Sequence, residues 1–548
     1  MIKKQNAEHI VSVLVAKRGL SFRQVTSPEL ISVYLKSGIQ LPTSHQGARD
    51  MLIRYARHLR KLDEKELFDL KKNTKFAAVL DEWKSIANRA FLNVTLFTKN
   101  KLFNLGLVRI MNKADAQNLL TLLKQKLKAF DLNLDDLTCL ITDGASVMKC
   151  LGRLAVPVYQ QLCFAHAIQL AVLDVLYKKK IEIDSDDGDD SEDEETLIEQ
   201  LLELNIDTNS NIDLDLEDDL HVLNSSYLSL INKIRKLAKM FRKVAKRNEK
   251  LEEYLKQEKK KPVKMILDCK TRWNSMVDMI ERFCYVSTAI KKACADLDID
   301  FEFTSEDLIN LRNLLDVMEP IKDIVNQICQ QDCNLLDADV SFELLLDHLK
   351  QLDSPISKLM VDSLIKRVGE RRTHLSDCLK FLKTGEYLTS INYLNIASAK
   401  KSDIFKIIKD TIKKKTEIDK LDNYSSCDSD IASSPKRSRG DSSATSFKEK
   451  LQSVVNEARN FEIKSAQINQ NEIDQKLKLE LSAFTNGNKK RGPLLEEAFN
   501  TLMAIRATSV ESERTFSTAS RVCNKFSSKH NDETLDSIIY LKYHFRNL

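Results

Sequence analysis

The chain has 548 residues, a formal net charge of +5, and only 12 glycines and 8 prolines. That length holds two to four domains, or one large domain with an insertion, and the scarcity of Gly and Pro beside frequent Leu, Lys, Glu and Asp favours a mainly helical protein. A charge so near neutral does not announce a nucleic-acid binder, but acidic and basic residues are segregated, so their distribution carries more information than their sum. Eleven cysteines without a Cys-x-x-Cys pair fit reduced thiols inside a cell. The start is no signal peptide and no run approaches the roughly 18–20 apolar residues of a membrane span, so a soluble chain with no membrane partner is expected.

Residues 1–70 predict helices. Ile10, Val13, Leu14 and Val15 open the segment, and Met51, Leu52, Tyr55, Leu59 and Leu62 recur at three- and four-residue spacing. Leu41-Pro42-Thr43-Ser44 reads as a turn, with Ser44 placed to cap the next helix. The pattern then changes to short apolar runs: Phe76–Leu80, Phe91–Phe97 and Leu102–Ile110 predict strands. A helical period over 114–129 follows, then a fourth strand, Leu137–Thr142, ending at Asp143-Gly144. Three strands, a helix and a fourth strand is the order of ribonuclease-H-like domains, an order shared with many other α/β folds.

Residues 182–195 are almost all Asp, Glu, Ser and Gly, and 422–446 are rich in Ser and Asp, so 182–220 and 422–446 are expected to be largely unstructured. A helix over 233–247 carries Lys239, Arg242 and Lys243 on a basic face that either tracks a DNA backbone or is merely solvated. Helices continue to the C-terminus, where Val522, Phe526, Leu535, Ile538, Ile539, Leu541 and Phe545 form an apolar stripe. That stripe is expected to pack partly on the sheet and partly on the helical insertion or a second copy of the chain. Pro435-Lys436-Arg437-Ser438-Arg439 reads as a short nuclear-import signal, which places the protein in the nucleus.

Three acids stand out by context. Asp81 follows the first strand, Asp143 ends the fourth, and Glu513 lies in Ser512-Glu513-Arg514-Thr515-Phe516-Ser517. Each alone reads as a turn or capping residue. Together, three carboxylates repel unless a cation neutralises them, and hard divalent ions such as Mg²⁺ or Mn²⁺ prefer oxygen ligands. Two such ions about 3.5–4 Å apart activate a water or a 3′-hydroxyl for in-line phosphoryl displacement.

The ordered motifs resemble the hAT family of DNA transposases. Asp81-Glu82-Trp83-x-Ser85 is similar to its first-aspartate motif, Thr142-Asp143-x-Ala145-Ser146-x-Met148 to its second, and the Ser-Glu-Arg segment to its C-terminal dimerisation signature. Cys163-x-x-His166 resembles the family's Cys-x-x-His element, used either structurally or as half of a metal site whose second pair is not evident. Thr271-Arg272-Trp273-Asn274-Ser275 resembles an element near the cleaved DNA end, so Trp273 is either a base-stacking residue or a core indole, and Arg272 and Arg514 are candidate DNA contacts. Many members begin with a BED zinc finger, yet no cysteine precedes Cys139, so the finger is absent, lost or not included.

The resemblance implies an α+β, mainly helical fold: a ribonuclease-H-like core interrupted by a long helical insertion, preceded by an N-terminal helical domain. The expected boundaries are 1–70 for the N-terminal domain, 71–180 for the first part of the core, 181–222 for an acidic loop, 223–485 for the insertion, and 486–548 for the last core helix with the dimerisation segment. It further implies a self-associating DNA-binding protein with ancestral metal-dependent cleavage and strand transfer. Asp81, Asp143 and Glu513 would be the ligands. The alternatives are a non-catalytic, domesticated DNA- or chromatin-associated dimer, and a nuclease unrelated to transposition.

Overall fold

The computed structural model describes residues 7–85, 88–111, 113–156, 158–179, 221–223, 225–269, 273–387, 398–412, 472–487, 489–522 and 531–546. The two intervals expected to be unstructured, 182–220 and 422–446, lie outside them, as do Arg272, Phe526 and the Pro435–Arg439 segment. Among the described residues no helix is long and apolar enough to cross a membrane.

The N-terminal layer contains α1 (Ala7–Ser12), a π-helical turn (Val13–Lys17), α2 (Phe22–Val25), α3 (Pro28–Lys36) and the long α4 (His45–Leu70). Short polar residues start three of these: Ser21, Ser27 and Ser44 accept from the backbone N–H groups of Gln24, Leu30 and Gly47. In α4, Ala48, Leu52, Ile53, Ala56, Leu59 and Leu67 are buried, the spacing of a single helical face.

A five-stranded mixed sheet follows. Its strands are β1 (Phe76–Lys84), β2 (Ala90–Phe97), β3 (Leu102–Arg109), β4 (Leu137–Thr142) and β5 (Tyr159–Leu162), in the order β3-β2-β1-β4-β5. The first three form an antiparallel meander, while β4 pairs parallel to β1 and β5 parallel to β4. Side chains alternate between faces. Phe76, Ala78, Leu80, Leu92, Val94 and Leu96 bury against α5 (Ala116–Lys128) and α6 (Ser146–Leu154). Ala77, Val79, Phe97, Cys139 and Ile141 face the other way, toward α7 (Phe164–Leu176) and the helices beyond it.

The strands read in the sequence are present, with one change that matters. β1 runs four residues past Leu80, so Asp81 lies within the strand and not after it. A short ladder of β6 (Tyr177–Lys179) and β7 (His221–Leu223) brings the two ends of the acidic segment together, a pairing too short to signal itself in the sequence.

The helical half comprises α8 (Ser225–Lys243), α9 (Ala245–Gln257), α10 (Trp273–Asp296), α11 (Ser305–Ile328), α12 (Leu335–Gln351), α13 (Pro355–Gly369), α14 (His374–Thr384), α15 (Lys401–Thr411), α16 (472–486) and α17 (Pro493–Leu502). The helix expected over 233–247 breaks at Val244, which adopts extended φ/ψ of −124° and 112° between α8 and α9. One hydrophobic cluster runs without interruption from Ala77 and Ile141 in the sheet through α7 into these helices. Residues 71–180 and 223–485 therefore share a core.

The last two helices, α18 (Val510–Val522) and α19 (Asp532–Arg546), return to the sheet. Leu535 and Ile539 of α19 pack with Phe91, Leu107 and Phe516. Ile538, Tyr540, Leu541 and Phe545 pack with Ile10, Val11, Leu52 and Ala56 of the N-terminal layer. The chain's own first helices are thus a partner that the sequence reading did not assign to the stripe, beside the sheet that it did. Arg60 pairs with Asp536 at 2.7 Å, and Tyr540 donates to Asp63 at 2.5 Å, so the apolar seam is flanked by charge and hydrogen bonding.

Candidate acidic site

Asp81 projects from the same face of β1 as Ala77 and Val79. Val79 pairs with Ile141 at the end of the parallel ladder; Asp81 lies two residues beyond the first and Asp143 two beyond the second. Asp143 sits in the turn leaving β4, where its Oδ1 accepts from the backbone N–H of Ala145 at 3.2 Å. That bond holds the turn and leaves the second oxygen available.

Glu513 arrives on the first turn of α18, which is docked on the β1–β2–β3 face by side chains on either side of it. Asn93 Nδ2 donates to Ser512 Oγ at 3.0 Å and Asn104 Nδ2 to Thr515 Oγ1 at 3.2 Å. The Phe516 ring stacks on Trp83 with centroids 6.1 Å apart. The segment before the helix is fixed as well: Phe164 N–H donates to Ala507 O at 2.9 Å, and Ser509 N–H to Cys163 Sγ at 3.3 Å. An acidic residue in a helix's first turn also meets the positive end of the helix dipole.

Electrostatics ties the three acids together. Burial first, then the charges of Glu513 and Asp143, push the Asp81 carboxyl well above the usual carboxylate range. His166 pulls in the opposite direction, as does the Glu82 N–H that donates to Asp81 Oδ1 at 2.8 Å. The structure thus brings Asp81 within electrostatic reach of Asp143, Glu513 and His166. The donors are carboxylate oxygens, which suit a hard divalent cation in kind. Among the described residues, however, no group of three His, Cys, Asp or Glu side chains is arranged to hold a metal ion as they stand.

The other expected residues separate into distinct environments. Cys163 is buried and engaged with Ser509, a structural use. Arg514 is committed internally, to the Glu511 carboxylate and, at 2.9 Å, to Cys329 O. Trp273 is 1% exposed and belongs to the main core, so its indole is not presented to solvent. Lys239, Arg242 and Lys243 are exposed and form no ion pair among the described residues. The basic residues one and two turns earlier differ: Lys233, Arg235 and Lys236 are paired with Asp307, Asp268 and Glu302. The unpaired set clusters at the α8–α9 elbow.

Sequence reasoning missed two contributors. Asn93 sits at a strand position where an apolar residue is the default, and a buried amide there is a readable sign of a polar docking partner. Arg371 is buried beside the Asp143 turn; the Gly369-Glu370-Arg371-Arg372 stretch ending α13 carries no periodic signal that would single it out.

Two segments of the chain match known families. Residues 212–330 match the ZBED1 RNase-like helical domain, and residues 462–545 match the hAT family C-terminal dimerisation region. No curated protein matches the chain. The second match covers α18, which carries Glu513, and α19, and the first covers β7 through α11. These two matches support a hAT-family transposase-like protein.

Proposed function

We propose that this transposase-derived, self-associating protein is a DNA-binding enzyme whose Asp81, Asp143 and Glu513 hold Mg²⁺ or Mn²⁺ for phosphoryl transfer, on a ribonuclease-H-like core interrupted by the helical half. The observation that carries the reading is the electrostatic coupling of Asp81 to the two other acids, from elements at opposite ends of the chain. The strand order β3-β2-β1-β4-β5, with two parallel pairs after the meander, supports the core assignment. The ions, when bound, would activate a water or 3′-hydroxyl and stabilise the leaving oxygen. The protein's own part is to hold the carboxylates. In this reading the parallel β1–β4 pairing brings Asp81 toward Asp143, and Asn93 and Asn104 clamp α18 so that Glu513 is presented on a rigid element. The exposed Lys239, Arg242 and Lys243 would meet the phosphate backbone, and Pro435–Arg439 would direct nuclear import.

One observation favours the second reading, a non-catalytic nuclear DNA-associated dimer: the acids do not stand in a ligating arrangement. Calorimetric titration of the full chain with Mn²⁺, alongside cleavage of double-stranded DNA, decides between them. The catalytic reading expects Mn²⁺ binding and Mn²⁺-dependent cleavage, both abolished by D81N, D143N or E513Q in folded protein. DNA binding without Mn²⁺ binding or cleavage would leave only the dimer reading.

A further inference from the structure

The loop between α13 and α14 drives two consecutive arginines into the interior, and their partners differ. Arg372 lies between two buried carboxylates, Asp339 at 2.9 Å and Asp377 at 2.7 Å. Arg371, 7% exposed, has no carboxylate within salt-bridge distance among the described residues. Its Nη1 donates to the carbonyl of Cys163 at 3.0 Å. Its Nη2 lies so close to Gly144 that a Cβ added there would stand 2.5 Å away. The loop is pinned behind it: Gln161 Nε2 donates to Arg371 O at 3.0 Å, and Thr373 Oγ1 donates to Gln161 Oε1 at 2.9 Å.

Burying a guanidinium without a direct anionic partner is unfavourable, so a fold that retains one gains something from its location. Here the location is the gap between the residue after Asp143 and the first residue of Cys163-x-x-His166. Burial draws the Arg371 pKa below the usual arginine value, and the neighbouring Cys163 and Asp143 oppose that shift.

We propose that Arg371 is a positioning residue for the acidic site, its guanidinium fork setting the separation of the Asp143 turn from the Cys163–His166 segment. The proposal rests on the metal-binding reading of that site. It explains why Gly stands at 144, since any side chain would displace the fork. A lysine, a point charge without the planar fork, cannot both bond Cys163 O and fill the space against Gly144.

The sign of one measurement separates this role from a simple charge effect. Were Arg371 only a nearby positive charge, R371Q would tighten Mn²⁺ binding. As a positioning residue, its loss weakens Mn²⁺ binding by about 10–100-fold, the range for residues that orient metal ligands. We expect R371Q, R371K and G144A of the full chain all to show weaker Mn²⁺ binding by calorimetry. The R371Q/G144A double variant should be no weaker than the worse single one, because both disrupt the same arrangement. Leu59→Ala, in the N-terminal layer, controls for general destabilisation and should bind Mn²⁺ as the wild type does. Unchanged or tighter binding by R371Q, or equal weakening by L59A, overturns the proposal alone. A wild-type chain that binds no Mn²⁺ overturns the acidic-site reading, and this one with it, before any substitution is compared.

Discussion

Asn93 of β2 and Ser512 of α18 stand 419 positions apart in sequence and 3.0 Å apart in the fold, the amide donating to the hydroxyl in a buried environment. The same amide donates to Thr95 Oγ1 at 3.2 Å, so Asn93 fixes both its own strand and the helix that carries Glu513. A buried side-chain bond between sheet and helix favours one docking position of α18 over sliding alternatives, because any shift breaks it.

Replacing either partner should therefore be costly and coupled. N93A and S512A are each expected to lower unfolding free energy by about 1–3 kcal/mol. The double variant should lose less than the sum of the two. Urea denaturation of the four proteins measures this; strictly additive losses would show that the bond does not orient the helix.

Gly106 offers a second test of C-terminal docking. It sits at a bulge in the β2–β3 ladder with φ of +99°, and Leu107 N–H donates to Asp536 Oδ1 at 2.7 Å. A Cβ at this position would collide with the Asp536 carboxylate. G106A combines that clash with backbone strain, and a loss of about 1–3 kcal/mol or more is expected from thermal unfolding. In a D536A background the clash disappears and only the strain remains, so the loss should shrink.

Removing residues 1–44 should expose part of the α19 face that the first helices cover. Ile538, Tyr540, Leu541 and Phe545 are each no more than 3% exposed in the intact fold. Uncovering large side chains of this kind costs roughly 1.5–3 kcal/mol each when complete. The truncated chain should unfold at lower temperature and sediment as larger, concentration-dependent species. Unchanged mass and stability would show that the N-terminal layer is dispensable. Removing 531–548 instead should reduce both stability and specific self-association.

His544 makes that seam sensitive to pH. Burial lowers its pKa foremost, Asp63 opposes the shift, and Lys101 and His9 add to it. The folded state thus takes up the proton at lower pH than the unfolded chain, whose histidine titrates near about 6.5. Stability is full above that value and declines as pH falls toward the depressed folded pKa. H544N should flatten the decline in unfolding free energy measured from pH 7.5 downward. A variant as acid-sensitive as the wild type would assign the decline to other groups.

The elbow between α8 and α9 predicts a salt-dependent phenotype. Changing Lys239, Arg242 and Lys243 together to Ala should weaken DNA binding and reduce the dependence of log K on log salt by about 0.9 for each phosphate no longer neutralised. Lys233, Arg235 and Lys236, already paired with acids, should contribute less when changed in the same way. Equal effects from both sets would assign the binding to overall charge.

Much of the sheet was legible because its signals are local. The apolar runs from Phe76 to Thr142 are short, well separated and interrupted by a clear helical period, and each became an element close to its expected limits. The position of Asp81 within β1 was not legible, because Asp81-Glu82 looks like a strand end until Trp83 is seen to pack on Phe91 and Phe516. The break at Val244 was hidden as well: Val244 continues the apolar spacing of Leu237 and Phe241, and only the extended backbone there separates the two helices. Arg371 and the N-terminal cover of α19 depend on packing between distant segments, which no periodicity records. Composition marked the C-terminal stripe as needing a partner; it did not say which apolar face would supply one.

The closure of the first helices over the last has a consequence for how the protein is made. Phe91 and Leu107 leave the ribosome early, yet they bury against Phe516, Leu535 and Ile539, which leave hundreds of residues later. Ile10 and Leu52 wait in the same way for Ile538 and Leu541. A nascent chain thus carries a half-finished layer with an uncovered apolar face until α18 and α19 have been made. Contacts of such sequence separation form slowly, and intermediates that display apolar surface aggregate. Premature termination anywhere before α18 would leave a product that cannot close this layer.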